Sequence, residues 1–175
     1  MFEGVNVHDM YISAEELQEW LNESKSVGKH LLQGYRGAIS NMTNDIVSDP
    51  RSANNSHIVN SDFSLNPKYM MGFTPYPSQS KFILSCLYVF PEHRGIGLGT
   101  HLIYTAQQLV KDKAFIQVAV EEKQIEFLGP FYKKQGFKTT GDRIKDPAGM
   151  VYQDYFWASF PLKLERVGRT IIVRW

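Results

Sequence analysis

The sequence predicts an α/β domain built around one strand-helix-strand unit. Three observations lead there: an apolar and aromatic run at residues 82–90 closed by Pro91, a stretch at 99–113 in which Leu102, Ile103, Ala106, Leu109 and Val110 recur at helical spacing, and a near-continuous apolar run at 115–120. The first reads as a strand by length and aromatic content, the second as a helix with one buried stripe, and the third as a strand covered on both faces. In that order they make a parallel pair joined by a right-handed crossover.

The other elements follow in chain order. Ser13, Ala14, Glu15 and Glu16 form a capping-box pattern ahead of Leu17, Trp20 and Leu21, which predicts a short amphipathic helix. Residues 40–67 are rich in Asn, Ser and Asp, side chains that favour turns over ladders, so long loops are expected, with a short strand near His57 to Val59. Two prolines make residues 73–77 a turn or edge segment. Residues 124–135 carry Ile125, Leu128, Phe131 and Tyr132 at helical spacing, with Gly136 placed as the stop. Pro130 lies within that span, so the helix either starts late or bends there. A turn at residues 146–149 precedes two further strand runs, 152–162 and 170–175.

Composition bounds the function. A chain of 175 residues is one ordinary domain's length and can bury roughly 70% of its unfolded surface. Nineteen basic against eighteen acidic residues leave a net charge of +1 without like-charge blocks, which speaks against nucleic acid as a partner. Lys163, Arg166, Arg169 and Arg174 alternate with apolar residues as a solvated strand face does. Neither an amino-terminal leader pattern nor an apolar run of about 18 residues occurs, so a cytoplasmic chain without membrane association is expected. The single cysteine, Cys86, cannot form an intrachain disulfide and lies in an apolar strand run without a predicted His partner, which favours an inert thiol over a nucleophile. The five histidines show no metal-ligand spacing.

Chemistry concentrates in Arg94-Gly95-Ile96-Gly97-Leu98-Gly99-Thr100, between the first strand and its helix. Alternate glycines permit positive φ and close ligand approach, and the amides at a helix start have no intrahelical acceptors, so the segment reads as an anion site. A P-loop would need a lysine after the last glycine, and Thr100 stands there. A dinucleotide fold would accept Glu121 as the ribose acid, but residues 91–94 intervene before the glycines and Leu102 occupies the third glycine position.

Residues 89–99, with Val89, Pro91, Arg94, Gly97 and Gly99 in their spacing, resemble the acetyl-CoA signature of the GNAT superfamily of N-acetyltransferases. Residues 130–137, Pro-Phe-Tyr-Lys-Lys-Gln-Gly-Phe, resemble that superfamily's second motif. The resemblance implies one GNAT-like domain over residues 1–175, a mixed and mostly antiparallel sheet whose central parallel pair splays around the pantetheine arm, with helices on both faces. Residues 82–137 would be the cofactor core, 1–81 an atypical acceptor-side part and 138–175 the carboxy-terminal strands.

The same resemblance assigns roles. Acetyl-CoA is the expected cosubstrate, its pyrophosphate held by Arg94, Gly95, Ile96, Gly97, Leu98, Gly99 and Thr100, with Thr100 adding either its hydroxyl or a helix cap. Four or five charge-assisted hydrogen bonds of about 1.5–3 kcal/mol each would supply most of a micromolar affinity. The backbone of Leu87, Tyr88 and Val89 would pair with the pantetheine amides. Tyr132 aligns with the tyrosine that protonates the departing thiolate, a match of a weak acid to a basic leaving group. An acceptor amine of ordinary pKa near 10.4 is about one part in 2,500 unprotonated at pH 7, so it needs a base. Residues 82–89 contain no acid; Glu121 and Glu122 are the candidates, with solvated acids at a helix start as the alternative. The expected acceptor is a small-molecule or peptide amine held between residues 40–77 and the carboxy-terminal strands, in a monomer or homodimer. The alternatives are a GNAT-fold module that binds CoA with weak or no turnover, and an NAD-binding domain.

Overall fold

The computed structural model describes residues 57–60, 68–76, 79–110 and 114–175. The expected helix near residues 13–21 and most of the 40–67 segment lie outside these. In chain order the elements are β1 (His57–Asn60), β2 (Tyr69–Tyr76), β3 (Lys81–Val89), a 3-10 turn (Pro91–His93), α1 (Leu98–Leu109), β4 (Phe115–Glu121), a second 3-10 turn (Glu122–Gln124), α2 (Ile125–Lys134), β5 (Ile144–Lys145), β6 (Val151–Trp157), β7 (Lys163–Val167) and β8 (Thr170–Arg174). Strand order in the larger sheet is β1-β2-β3-β4-β6-β5, and β7 and β8 form a separate hairpin. β3 and β4 are parallel, while the β1-β2, β4-β6 and β5-β6 pairs are antiparallel. This is the mixed sheet with an inner parallel pair that the sequence predicts.

The described residues fall into two compact units. One contains residues up to 76 together with 84–105, and the other residues 77–83 with 106–175. In the first, His57 to Asn60 pair with Phe73 back to Met70. Pro75 thus lies inside β2, beyond Phe73, the last β2 residue paired with β1, so of the two readings of this segment the edge strand fits and the turn does not.

In the second unit, Lys81, Phe82 and Ile83 stand in parallel register with Phe115, Ile116 and Gln117. Six antiparallel pairs, from Ile116 with Trp157 to Glu121 with Tyr152, join β4 to β6. The period of two then sorts the side chains. Phe115 and Phe156 pack with Leu162, and Phe160, Leu164, Ile171 and Val173 close over them. Each such apolar side chain contributes about 1.5–3 kcal/mol when fully buried. Gly168, with φ +62, supplies the first turn position of the β7-β8 hairpin. The short strands β5 and β7 are not visible in the sequence pattern; β7 has a mostly exposed face and β5 is two residues long. The run expected at 152–162 is β6 alone, ending at Trp157.

α1 ends at Leu109, short of the expected residue 113. α2 resolves the proline question differently from a late start: Pro130 is its sixth residue. The helix therefore forgoes one backbone bond, to the carbonyl of Glu126. Its carboxy-terminus is a Schellman cap, with Phe137 N donating to Tyr132 O at 3.1 Å and Gly136 N to Lys133 O at 3.0 Å. Gly136, at φ +87, takes the left-handed conformation that this cap demands.

Candidate acetyl-CoA and acetyl-transfer site

The glycine loop is built by two consecutive turns. Pro91 occupies the first position of the 3-10 turn, where its lack of an N–H costs nothing, and His93 N and Arg94 N close that turn on Phe90 O and Pro91 O at 2.9 and 3.2 Å. The chain then passes Gly95 and Gly97 at φ +81 and +84. A Cβ at either position would meet nothing within 4 Å, so the backbone lies open on that side. Gly99 is helical and needs no positive φ, so two of the three glycines carry the conformational load. Leu98 is buried and anchors the helix start, while Ile96 is exposed. The helix's first turn places the amides of Leu98 and Gly99 where no intrahelical acceptor reaches them. Thr100 is the third residue of α1, so its side chain is not the amino-terminal cap.

Arg94 locks the strand end to the loop. Its Nε donates to Val89 O at 2.8 Å, and its guanidinium lies over the Tyr88 ring at 5.4 Å. Phe90 stands edge-on to Tyr88 at 5.0 Å. Leu87, Tyr88 and Val89 are half-buried. The structure thus brings the predicted strand segment and the predicted loop together through one side chain that donates along β3.

The remaining predicted residues belong to the other unit. Tyr132 is 3% exposed, with Phe131 and Phe137 edge-on at 5.2 and 5.3 Å and Tyr155 tilted at 5.8 Å. Its carbonyl is an acceptor of the Schellman cap, so the Tyr-x-x-x-Gly-Phe spacing has a direct physical meaning. Gly136 turns the chain and Phe137 returns onto the Tyr132 ring, which fixes the side chain. Gln107 Nε2 donates to Gln135 O at 2.8 Å and satisfies a second carbonyl at that helix end. Glu121 ends β4 and pairs with Lys123 at 2.8 Å; Glu122 opens the following 3-10 turn, 3.9 Å from Arg143. Both carboxylates are at least one-third exposed and ion-paired.

One group of residues is not linked by the sequence pattern. Lys81, Gln117, Asp154 and Arg169 line a cavity of about 340 Å³ with Phe115 and Trp175 among its apolar walls. Asp154 is an acid inside an aromatic strand and is buried, with its Oδ1 accepting from Gln117 Nε2 at 3.2 Å. Burial pushes its carboxyl above the ordinary value of 3.8, against the opposing Gln117 bond and the Lys81 charge. An acid in the run Val-Tyr-Gln-Asp-Tyr-Phe-Trp is the signal that would have marked it.

The strand-loop-helix cradle and the capped tyrosine carry the two motifs of the GNAT resemblance, each within its own unit. The acetyltransferase (GNAT) domain family matches residues 66–157, and the chain belongs to that family. Among solved structures, it is similar to a GNAT-family protein of Desulfovibrio desulfuricans, at 14% identity and TM-score 0.53 over 88% of this chain and 94% of that one. It is also similar to an acetyltransferase of Thermus thermophilus, at 16% identity and TM-score 0.51 over 83% of this chain and 92% of that one. No curated protein matches the sequence. Acetyl-CoA is the family's cosubstrate, and the loop suits its pyrophosphate: open backbone, a helix start and no acid from residue 94 to 100. Among the described residues no helix is long and apolar enough to cross a membrane.

Proposed function

We propose that this chain transfers the acetyl group of acetyl-CoA to an amine by direct attack within a ternary complex. The observation that carries the reading is the pair of positive-φ glycines, with open space around them, at the start of a helix that follows a strand. Acetyl-CoA supplies an activated thioester and an anionic handle. Residues 94–100 hold the handle through backbone amides, with Arg94 keeping the loop against Val89. The backbone of Leu87, Tyr88 and Val89 aligns the pantetheine arm by strand-like pairing.

Glu121 or Glu122 takes the amine proton, through water where the distance requires it. As the acetyl carbon bonds to the amine nitrogen and its bond to sulfur breaks, the Tyr132 hydroxyl gives its proton to the departing thiolate. The support for Tyr132 is its motif position together with a ring held from three sides. The acceptor class is a small-molecule or peptide amine.

Release of free thiol from acetyl-CoA with a broad amine panel tests the function. Thermal stabilisation by acetyl-CoA with no thiol released for any amine would leave a CoA-binding module in place of an enzyme. Stabilisation by NADH and not by CoA would remove both readings.

A further inference from the structure

The cavity in the second unit is polar at one end and aromatic at the other. Asp154 and Gln117 project from β6 and β4, Lys81 stands at the start of β3, and Arg169 comes from the β7-β8 turn. Phe115 and Trp175 form the apolar wall, their ring centroids 6.3 Å apart. Its volume of about 340 Å³ falls at the small end of ligand sites, roughly 300–1,000 Å³. The space suits a metabolite and not a chain segment.

Charge narrows the ligand. One buried carboxylate, Asp154, shares the lining with two cations, Lys81 and Arg169, of which Lys81 acts on its charge. A simple anion would leave the acid beside a second negative charge, and a simple amine would add a third positive charge to the lining. A molecule with both charges answers both groups. Among the described residues one hydrogen bond reaches the Asp154 carboxylate, and burial is the dominant influence on its proton. An ammonium placed there would compensate a desolvated acid.

We propose that this cavity binds a small zwitterion of the α-amino acid type, its ammonium on Asp154, its carboxylate toward Arg169 and an apolar side chain against Phe115 and Trp175.

Calorimetric titration of the full chain without CoA tests the site, with phenylalanine, phenethylamine and 3-phenylpropionate as probes. Phenylalanine is expected to bind saturably, about tenfold or more tighter than either single-charge analogue. Asp154→Asn, which keeps an acceptor for Gln117, and the exposed Arg169→Ala are each expected to weaken it by a similar factor. Absence of saturable phenylalanine binding, equal binding of an analogue, or unchanged affinity in both variants overturns the proposal. Thiol release separates it from the acetyl-transfer reading: acetylation of other amines without phenylalanine binding removes the site and leaves the enzyme.

Discussion

Glycine does opposite work in the two regions. Around Gly95 and Gly97 a Cβ would meet open space, yet the backbone is left-handed at both. At Gly129, in the middle of α2, the backbone is ordinary helix and a Cβ would stand 2.7 Å from the buried Tyr155 hydroxyl. Gly136 combines the two, with positive φ and the Trp157 ring at 3.5 Å. Left-handed conformation without neighbours among the described residues leaves the backbone open, as the proposed pyrophosphate contact requires. A missing side chain under close packing lets the chain approach itself, here α2 onto β6.

Four substitutions and one control can break that contrast. The largest effect is expected from Tyr132→Phe, which keeps the ring contacts and removes the acid: turnover should fall about 100-fold or more with little change in melting temperature. Unchanged turnover with the preferred acceptor would take Tyr132 out of the mechanism. Gly129→Ala should cost about 1–3 kcal/mol, because the tyrosine it meets is itself enclosed. Thermal unfolding reads that loss, and the KM for acetyl-CoA should stay put. Gly97→Ala should reverse the pattern, with a stability cost of about 1 kcal/mol from the left-handed backbone and a raised KM for acetyl-CoA. A KM as low as that of the parent chain would mean the loop needs no glycine to meet its ligand.

Asp154→Asn is a smaller effect with a definite sign. The folded chain holds the Asp154 proton more tightly than the unfolded chain does, because burial raises its pKa from 3.8. The acid's contribution to stability therefore falls as pH rises through the interval between the two values, and above it the buried charge weighs fully against folding. The variant should melt higher than the parent at pH 7, with the gap closing as pH approaches 3.8; a gap that widens on acidification would contradict the assignment. Arg166→Ala is the control. Its pair with Asp142 at 3.0 Å is exposed, and although Thr140 and then Arg166 lower the Asp142 pKa, solvent screens the interaction. No measurable shift in melting temperature is expected.

Local patterns were legible where a residue's role is set by its immediate neighbours in the chain. The β3-α1-β4 unit, the glycine loop, the 146–149 turn and the stop at Gly136 all follow from short-range sterics and periodicity. In that turn Gly149, at φ +91, donates to Asp146 O at 3.0 Å and Met150 N to Asp146 Oδ1 at 2.9 Å. Pro75 and Pro130 were each left between two readings for the complementary reason. Whether a missing N–H matters depends on which partner lies beside it, and that partner is distant in sequence.

The cavity belongs to the same class. Gln117, Asp154 and Arg169 come from two strands and a hairpin turn, and only the β4-β6 register, with Ala119 opposite Asp154, places Gln117 within reach of that carboxylate. What the sequence determined alone was the local backbone: alternate glycines that can turn left ahead of a helix, and a helix stop at a glycine after the tyrosine. Local dihedral limits and helix capping suffice for both. What the tertiary structure decided was which side chains meet, because strand pairing converts separations of tens of residues into a few ångströms, and the ends of that pairing set where an acid is buried.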